Sequence, residues 1–172
     1  MLSVSVIFFT FALGAWVIGL YLVGMGSEPA EEGGNPLTTV GWIELIVGVI
    51  LFSQVFILVQ QTDLGILAGL VGLFAVFFTA FGTALIKGAD LRPIGNLAIP
   101  VGILAALYTP FDGFSGVFLF QSSTILWVVV FLLVAGFTYG KVGAKVLGYA
   151  LILTAVYGFL PAVYLALNQP IP

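Results

Sequence analysis

Long uncharged apolar stretches alternate with short polar breaks along the whole chain. The clearest case is Gly65 to Pro93, whose first 22 residues, to Ile86, carry no charge. Lys87, Asp90 and Arg92 then arrive together, and Pro93 closes the run. A helix needs about 20 apolar residues to cross a hydrocarbon core of about 30 Å. The stretch therefore predicts one complete membrane span delivered into a polar turn. The same pattern predicts five more spans, at residues 1–25, 40–59, 92–108, 117–139 and 146–167. Residues 1–25 lack the basic leader and short apolar core of a signal peptide and read as the first span. The fourth span is short and holds Pro100, which a membrane helix tolerates where neighbours satisfy the freed carbonyl. The expected fold is an all-α integral membrane protein, a single six-span bundle covering residues 1–172.

The breaks orient the bundle. The longest is GSEPAEEGGNPLTT, Gly26 to Thr39, with three glutamates, two prolines and three glycines. QQTDLG (Gln60 to Gly65) and TPFDGFSG (Thr109 to Gly116) separate the second span from the third and the fourth from the fifth, and the chain stops at NQPIP. All four basic residues fall in two turns, Lys87 and Arg92 in one, Lys141 and Lys145 in the other. In a six-span chain these turns share a side, which the positive-inside rule places in the cytoplasm. Both termini then face outward. The acidic first loop lies inside, and this is consistent because acidic residues contribute little to the rule.

Composition strengthens the class and narrows the chemistry. The chain is 62% hydrophobic and 6% charged, with mean hydropathy +1.28, far from soluble usage. It has no cysteine, hence no disulfide or thiolate chemistry, and no histidine, the usual general base, metal ligand and near-neutral switch. The net charge of −3 gives no sign of nucleic-acid binding.

No paired carboxylates share a helix face and no glycine-rich phosphate loop opens a helix, so an enzyme is not expected, nor any metal or cofactor. The polar residues within the spans, such as Gln54, Thr79, Asn96 and Thr154, are mostly neutral. Glu44 is the exception, about one turn into the second span. It reads either as an interfacial carboxylate beside Trp42 or as a carboxylate at a pore mouth that hydrogen-bonds a neutral solute. In the third span Gly65, Gly69 and Gly72 mark a side for close helix packing. Phe74, Phe77, Phe78 and Phe81 could line a pore, pack, or meet lipid. Few buried charges argue against active transport. A passive path for a small uncharged molecule fits six spans with a polar minority and many aromatics.

Several of these segments, in order, resemble the AmiS/UreI family of urea and short-chain amide channels. They are MLSVSVIFF at the start, NPLTTVGWIELIVG at Asn35 to Gly48, GADLRP at Gly88 to Pro93, Trp127, and LPAVYLAL at Leu160 to Leu167. The resemblance implies a six-helix protomer in a homo-hexamer in a bacterial or archaeal cytoplasmic membrane, with a solute pore inside each protomer. Its pore candidates are Leu2, Phe8, Phe78, Phe81, Trp127, Val130 and Val134, with Glu44 where the family has asparagine. The implied partners are the lipid bilayer and a small neutral solute, urea or a short-chain amide.

The chain departs from the family at three points. Of a spaced tryptophan run in span five only Trp127 is kept, with Val130 and Val134 at the other places. A carboxylate near the end falls on Leu153, and the external histidines of the acid-gated branch are missing. Gating near neutral pH is therefore not expected, and selectivity for urea is open. The competing reading is a non-conducting structural subunit of a larger membrane complex.

Overall fold

A computed structural model of the chain describes residues 2–29, 34–61, 65–110 and 117–171. The described residues form six α-helices and no strand: α1 Leu2–Val23, α2 Pro36–Leu58, α3 Gly65–Lys87, α4 Arg92–Tyr108, α5 Phe118–Thr138 and α6 Ala144–Ala166. Five of them, all but α4, are long and apolar enough to cross a membrane, which points to a multi-pass membrane protein. The 17 residues of α4, with Pro100 inside, make a shorter apolar helix.

Local chemistry sets the helix ends. The spacing of apolar residues placed the second span from residue 40, but α2 begins at Pro36. Asn35 supplies the N-cap, its side chain accepting a hydrogen bond from the Leu37 N–H at 3.0 Å. Pro36 follows where its missing N–H has no cost. The Asn-Pro pair, not hydropathy, marks this start. The other boundaries fall within two residues of those expected. Gly88, at φ +60, ends α3 in the left-handed conformation, and the Ala89 N–H reaches back to the Ala84 carbonyl at 2.9 Å. Asp90 then accepts from the Arg92 N–H at 2.9 Å and pairs with its guanidinium at 2.6 Å, fixing the entry to α4. The Arg92 hydrogen bond holds the exposed Asp90 carboxyl below its ordinary value.

Each helix packs on the next in chain order and α6 returns to α1, so the six form a closed ring. The pairs α2–α3, α1–α6 and α4–α5 are the most extensive, and small residues explain why. Gly82 of α3 lies so close to Leu45 that a Cβ there would run into α2 backbone, and Gly41 and Gly48 of α2 lie against Leu85 and Thr79. Gly19 meets Gly148 and Ala12 meets Gly158 between α1 and α6, while Gly95 lies against Thr138 between α4 and α5. The buried Ser5 hydroxyl adds a hydrogen bond to the Ala162 carbonyl at 2.8 Å across α1–α6. Of the three glycines expected to pack α3 tightly, Gly65 and Gly72 are not among those that do. A Cβ on Gly65 would meet no described atom within 4 Å, one on Gly72 would make ordinary contact with Val55 at 3.7 Å, and Gly69 faces the Tyr108 hydroxyl. Close approach needs small residues on both partners, and α2 presents Val55 opposite Gly72 but glycines near Gly82.

Candidate functional site

Alternate helices of the ring send aromatic side chains to its axis. Phe8 and Phe11 come from α1, Phe74, Phe77, Phe78 and Phe81 from α3, and Trp127 and Phe131 from α5. Phe8 stacks on Phe120 at 5.5 Å and lies 5.7 Å from the Trp127 ring. Trp127 also meets Phe11 at 5.3 Å and stands edge-on to Phe74 at 5.2 Å. From there contact runs through Phe131 to Phe77 and on to Phe81. Such spacings are those of favourable ring pairs, so the rings form a continuous packed layer across the bundle.

On one side of this layer lies a cavity of about 350 Å³. Its wall takes Phe11, Ala15 and Ile18 from α1, Phe77, Phe78, Phe81 and Leu85 from α3, Val130, Phe131 and Val134 from α5, and Leu147 and Leu151 from α6. Leu37 of α2 and Leu91, the residue before α4, complete it near the turns. The cavity occupies the half of the bundle that ends in the turns carrying Lys87, Arg92, Lys141 and Lys145. Its wall is almost wholly hydrocarbon, with Tyr21 and Thr138 as the hydroxyl-bearing residues. The Thr138 hydroxyl is already given to the Ala135 carbonyl at 2.9 Å.

Of the residues singled out in the sequence, Phe78, Phe81, Val130 and Val134 line this cavity. Phe8 and Trp127 sit in the aromatic layer, both buried. Leu2 opens α1, and its side chain lies outside the described residues, as do positions 111–116 of the TPFDGFSG loop and 62–64 of QQTDLG. Glu44 is elsewhere. It is fully buried and does not line the cavity. A Cβ on Gly14 of α1 would stand 3.0 Å from its Oε2, so the carboxyl group faces α1 across the seam with α2. The interfacial reading, a carboxylate at the surface beside Trp42, does not hold. Trp42 is 53% exposed while Glu44 turns the opposite way.

What sets Glu44 and Trp127 apart is their hydrogen bonding. The buried hydroxyls of Ser123, Thr124 and Thr154 each bond to a carbonyl one turn back in their own helix. Among the described residues the buried side-chain polar atoms with no partner are both Glu44 oxygens and the Trp127 Nε1. An unpaired buried N–H costs about 1–3 kcal/mol, and an ionised carboxylate left so costs more. Trp127 thus holds an unused donor in the aromatic layer, beside Phe11, a ring of the cavity wall that itself lies 5.6 Å from Phe78.

Sequence reasoning also missed a neutral polar recess at the opposite end of the bundle. Ser3, Gln54, Gln61 and Asn168 meet there between α1, α2 and α6, and the Gln61 amide points to the Ser3 hydroxyl at 3.5 Å. These residues are far apart in the sequence, and only the closure of α6 onto α1 gathers them.

Comparison of the chain with protein-family models, with curated proteins and with solved structures returned no match.

Proposed function

We propose that this chain crosses a bacterial or archaeal cytoplasmic membrane six times, both termini outside, and passes a small uncharged polar solute of the urea or short-chain amide class down its gradient. The reading joins the resemblance to AmiS/UreI channels with one observation. A cavity lined by α1, α3, α5 and α6 adjoins an aromatic layer in which, among the described residues, the Trp127 N–H has no partner. A flat amide slides between ring faces while its carbonyl oxygen accepts from Trp127 Nε1. An ion finds no replacement for its hydration shell against this wall, and its desolvation cost bars entry. The rings are in contact, so passage requires side chains of the layer to move aside. Under the positive-inside rule the cavity is an inner vestibule, and a homo-hexamer is the assembly that the resemblance implies.

The test is stopped-flow light scattering on proteoliposomes exposed to urea, formamide and acetamide, against empty vesicles. Faster equilibration that falls in Trp127→Phe supports the reading. No acceleration for any amide by folded protein overturns it. That result would favour a non-conducting subunit of a larger membrane complex, a reading that the packed layer and hydrocarbon wall also fit.

A further inference from the structure

The Glu44 carboxyl group takes no part in the solute path described above, and its surroundings call for a different role. It lies about two turns into α2, fully buried, with neither oxygen bonded. Gly14 of α1 faces it, and the Cβ that glycine lacks would stand 3.0 Å from Oε2 and 3.3 Å from a Val47 methyl. Gly14 is thus a notch that admits the carboxyl head beside the Val47 side chain. Among the described residues no countercharge pairs with it. The two helices that pack on α2 are α1 and α3. The first carries no Asp, Glu, Lys or Arg, and Tyr21, its titratable residue, lies seven positions beyond Gly14, facing the cavity. In α3 the charged residue is Lys87, exposed in the last turn. Glu44 is itself the charged residue of α2.

An ionised carboxylate needs donors, a cation or water, and among the described residues no donor bonds either Glu44 oxygen. A bound metal cation would need several oxygens around it, but no cluster of three or more acidic residues able to hold one stands among the described residues, and the notch at Gly14 is closed by Val47 methyls. A proton needs neither. We propose that Glu44 and Gly14 form a proton-binding site closed between α1 and α2, in which Glu44 is held as a neutral carboxylic acid. The site is separate from the axial cavity and stands whether or not the chain conducts amides.

A buried carboxylic acid in an apolar seam is the target of a hydrophobic carbodiimide. The acid O–H proton passes to one carbodiimide nitrogen as the carboxyl oxygen bonds the central carbon. The O-acylisourea formed rearranges to an N-acylurea without loss of atoms, so the modified peptide gains the mass of one whole reagent molecule. The full-length protein in lipid vesicles is treated with dicyclohexylcarbodiimide, digested and mapped by mass spectrometry, with sodium present or absent. The expected result is label on Glu44 in preference to Glu28, Glu31, Glu32, Asp63, Asp90 and Asp112, unchanged by sodium and lost in Glu44→Gln. Infrared spectra of the untreated protein read the same state without relying on the variant's folding. A protonated carboxyl C=O band that persists at neutral pH supports the site. An unlabelled Glu44 with no such band overturns it, and so does protection by sodium, which would make the occupant a metal cation.

Discussion

Among the described residues, Glu44 and Trp127 are those where burial and hydrogen bonding disagree, and each yields a test. Trp127→Phe keeps an aromatic ring against Phe11 and Phe74 but removes the unpaired N–H. Its thermal stability is expected to change little, because the lost ring area is offset by relief of an unsatisfied donor. Amide flux is expected to fall several-fold, the equivalent of one neutral hydrogen bond of about 0.5–1.5 kcal/mol. A variant that conducts as well as the parent would remove the indole from the mechanism. Gly14 and Glu44 are expected to be coupled. Gly14→Ala pushes a methyl to 3.0 Å from Oε2 and costs about 1–3 kcal/mol of stability, much of it recovered when Glu44→Ala removes the carboxyl head. Additive losses in a double-mutant cycle of denaturation midpoints would show that the two groups do not meet.

At the scale of the helix, hydropathy alone located the six elements, since a long apolar run with at most one charge has few other readings. It could not locate the start of α2, which the Asn35–Pro36 cap decides, nor the packing faces. Gly65, Gly69 and Gly72 look as good as Gly82 in one dimension. Which glycine packs depends on what the neighbouring helix presents, and a single sequence does not display that pairing. Gly72→Ala is accordingly expected to be neutral or to stabilise by up to about 1 kcal/mol through helix propensity. Gly82→Ala drives a methyl into the backbone at Leu45 and is expected to part α2 from α3, lowering the midpoint of detergent unfolding well below that of Gly72→Ala. Equal midpoints would refute the packing scheme. In the turn before α4 the expected effect is smaller and depends on pH. Arg92 lowers Asp90, so the pair's contribution is present above the ordinary carboxylate range and is lost as pH falls through the lowered value. Both groups are exposed, so Asp90→Asn should flatten a slight acid-side slope in unfolding temperature and leave neutral pH nearly unchanged.

At the scale of the molecule, the site is assembled by ring closure, and this is why it was only half legible. Phe78, Phe81, Val130 and Val134 were singled out through a resemblance and do share one cavity. No spacing in the chain says that Trp127 meets Phe11 and Phe74, because α1, α3 and α5 come together only when α6 returns to α1. The same closure gives the bundle two unlike ends. One carries the cavity and all four basic residues, while the other carries the neutral recess of Ser3, Gln54, Gln61 and Asn168. If basic residues fix orientation, the cavity end is cytoplasmic. The chain has no cysteine, so single cysteines report sides cleanly. Ala89→Cys lies in an exposed turn at the cavity end, and Gln169→Cys in the exposed tail beyond α6 at the other. In intact cells a membrane-impermeant maleimide is expected to label Gln169→Cys at once and Ala89→Cys only after permeabilisation. The reverse pattern would turn the cavity outward, making it the entry from the medium. The order in which a solute meets the cavity and the Trp127 layer would then be inverted.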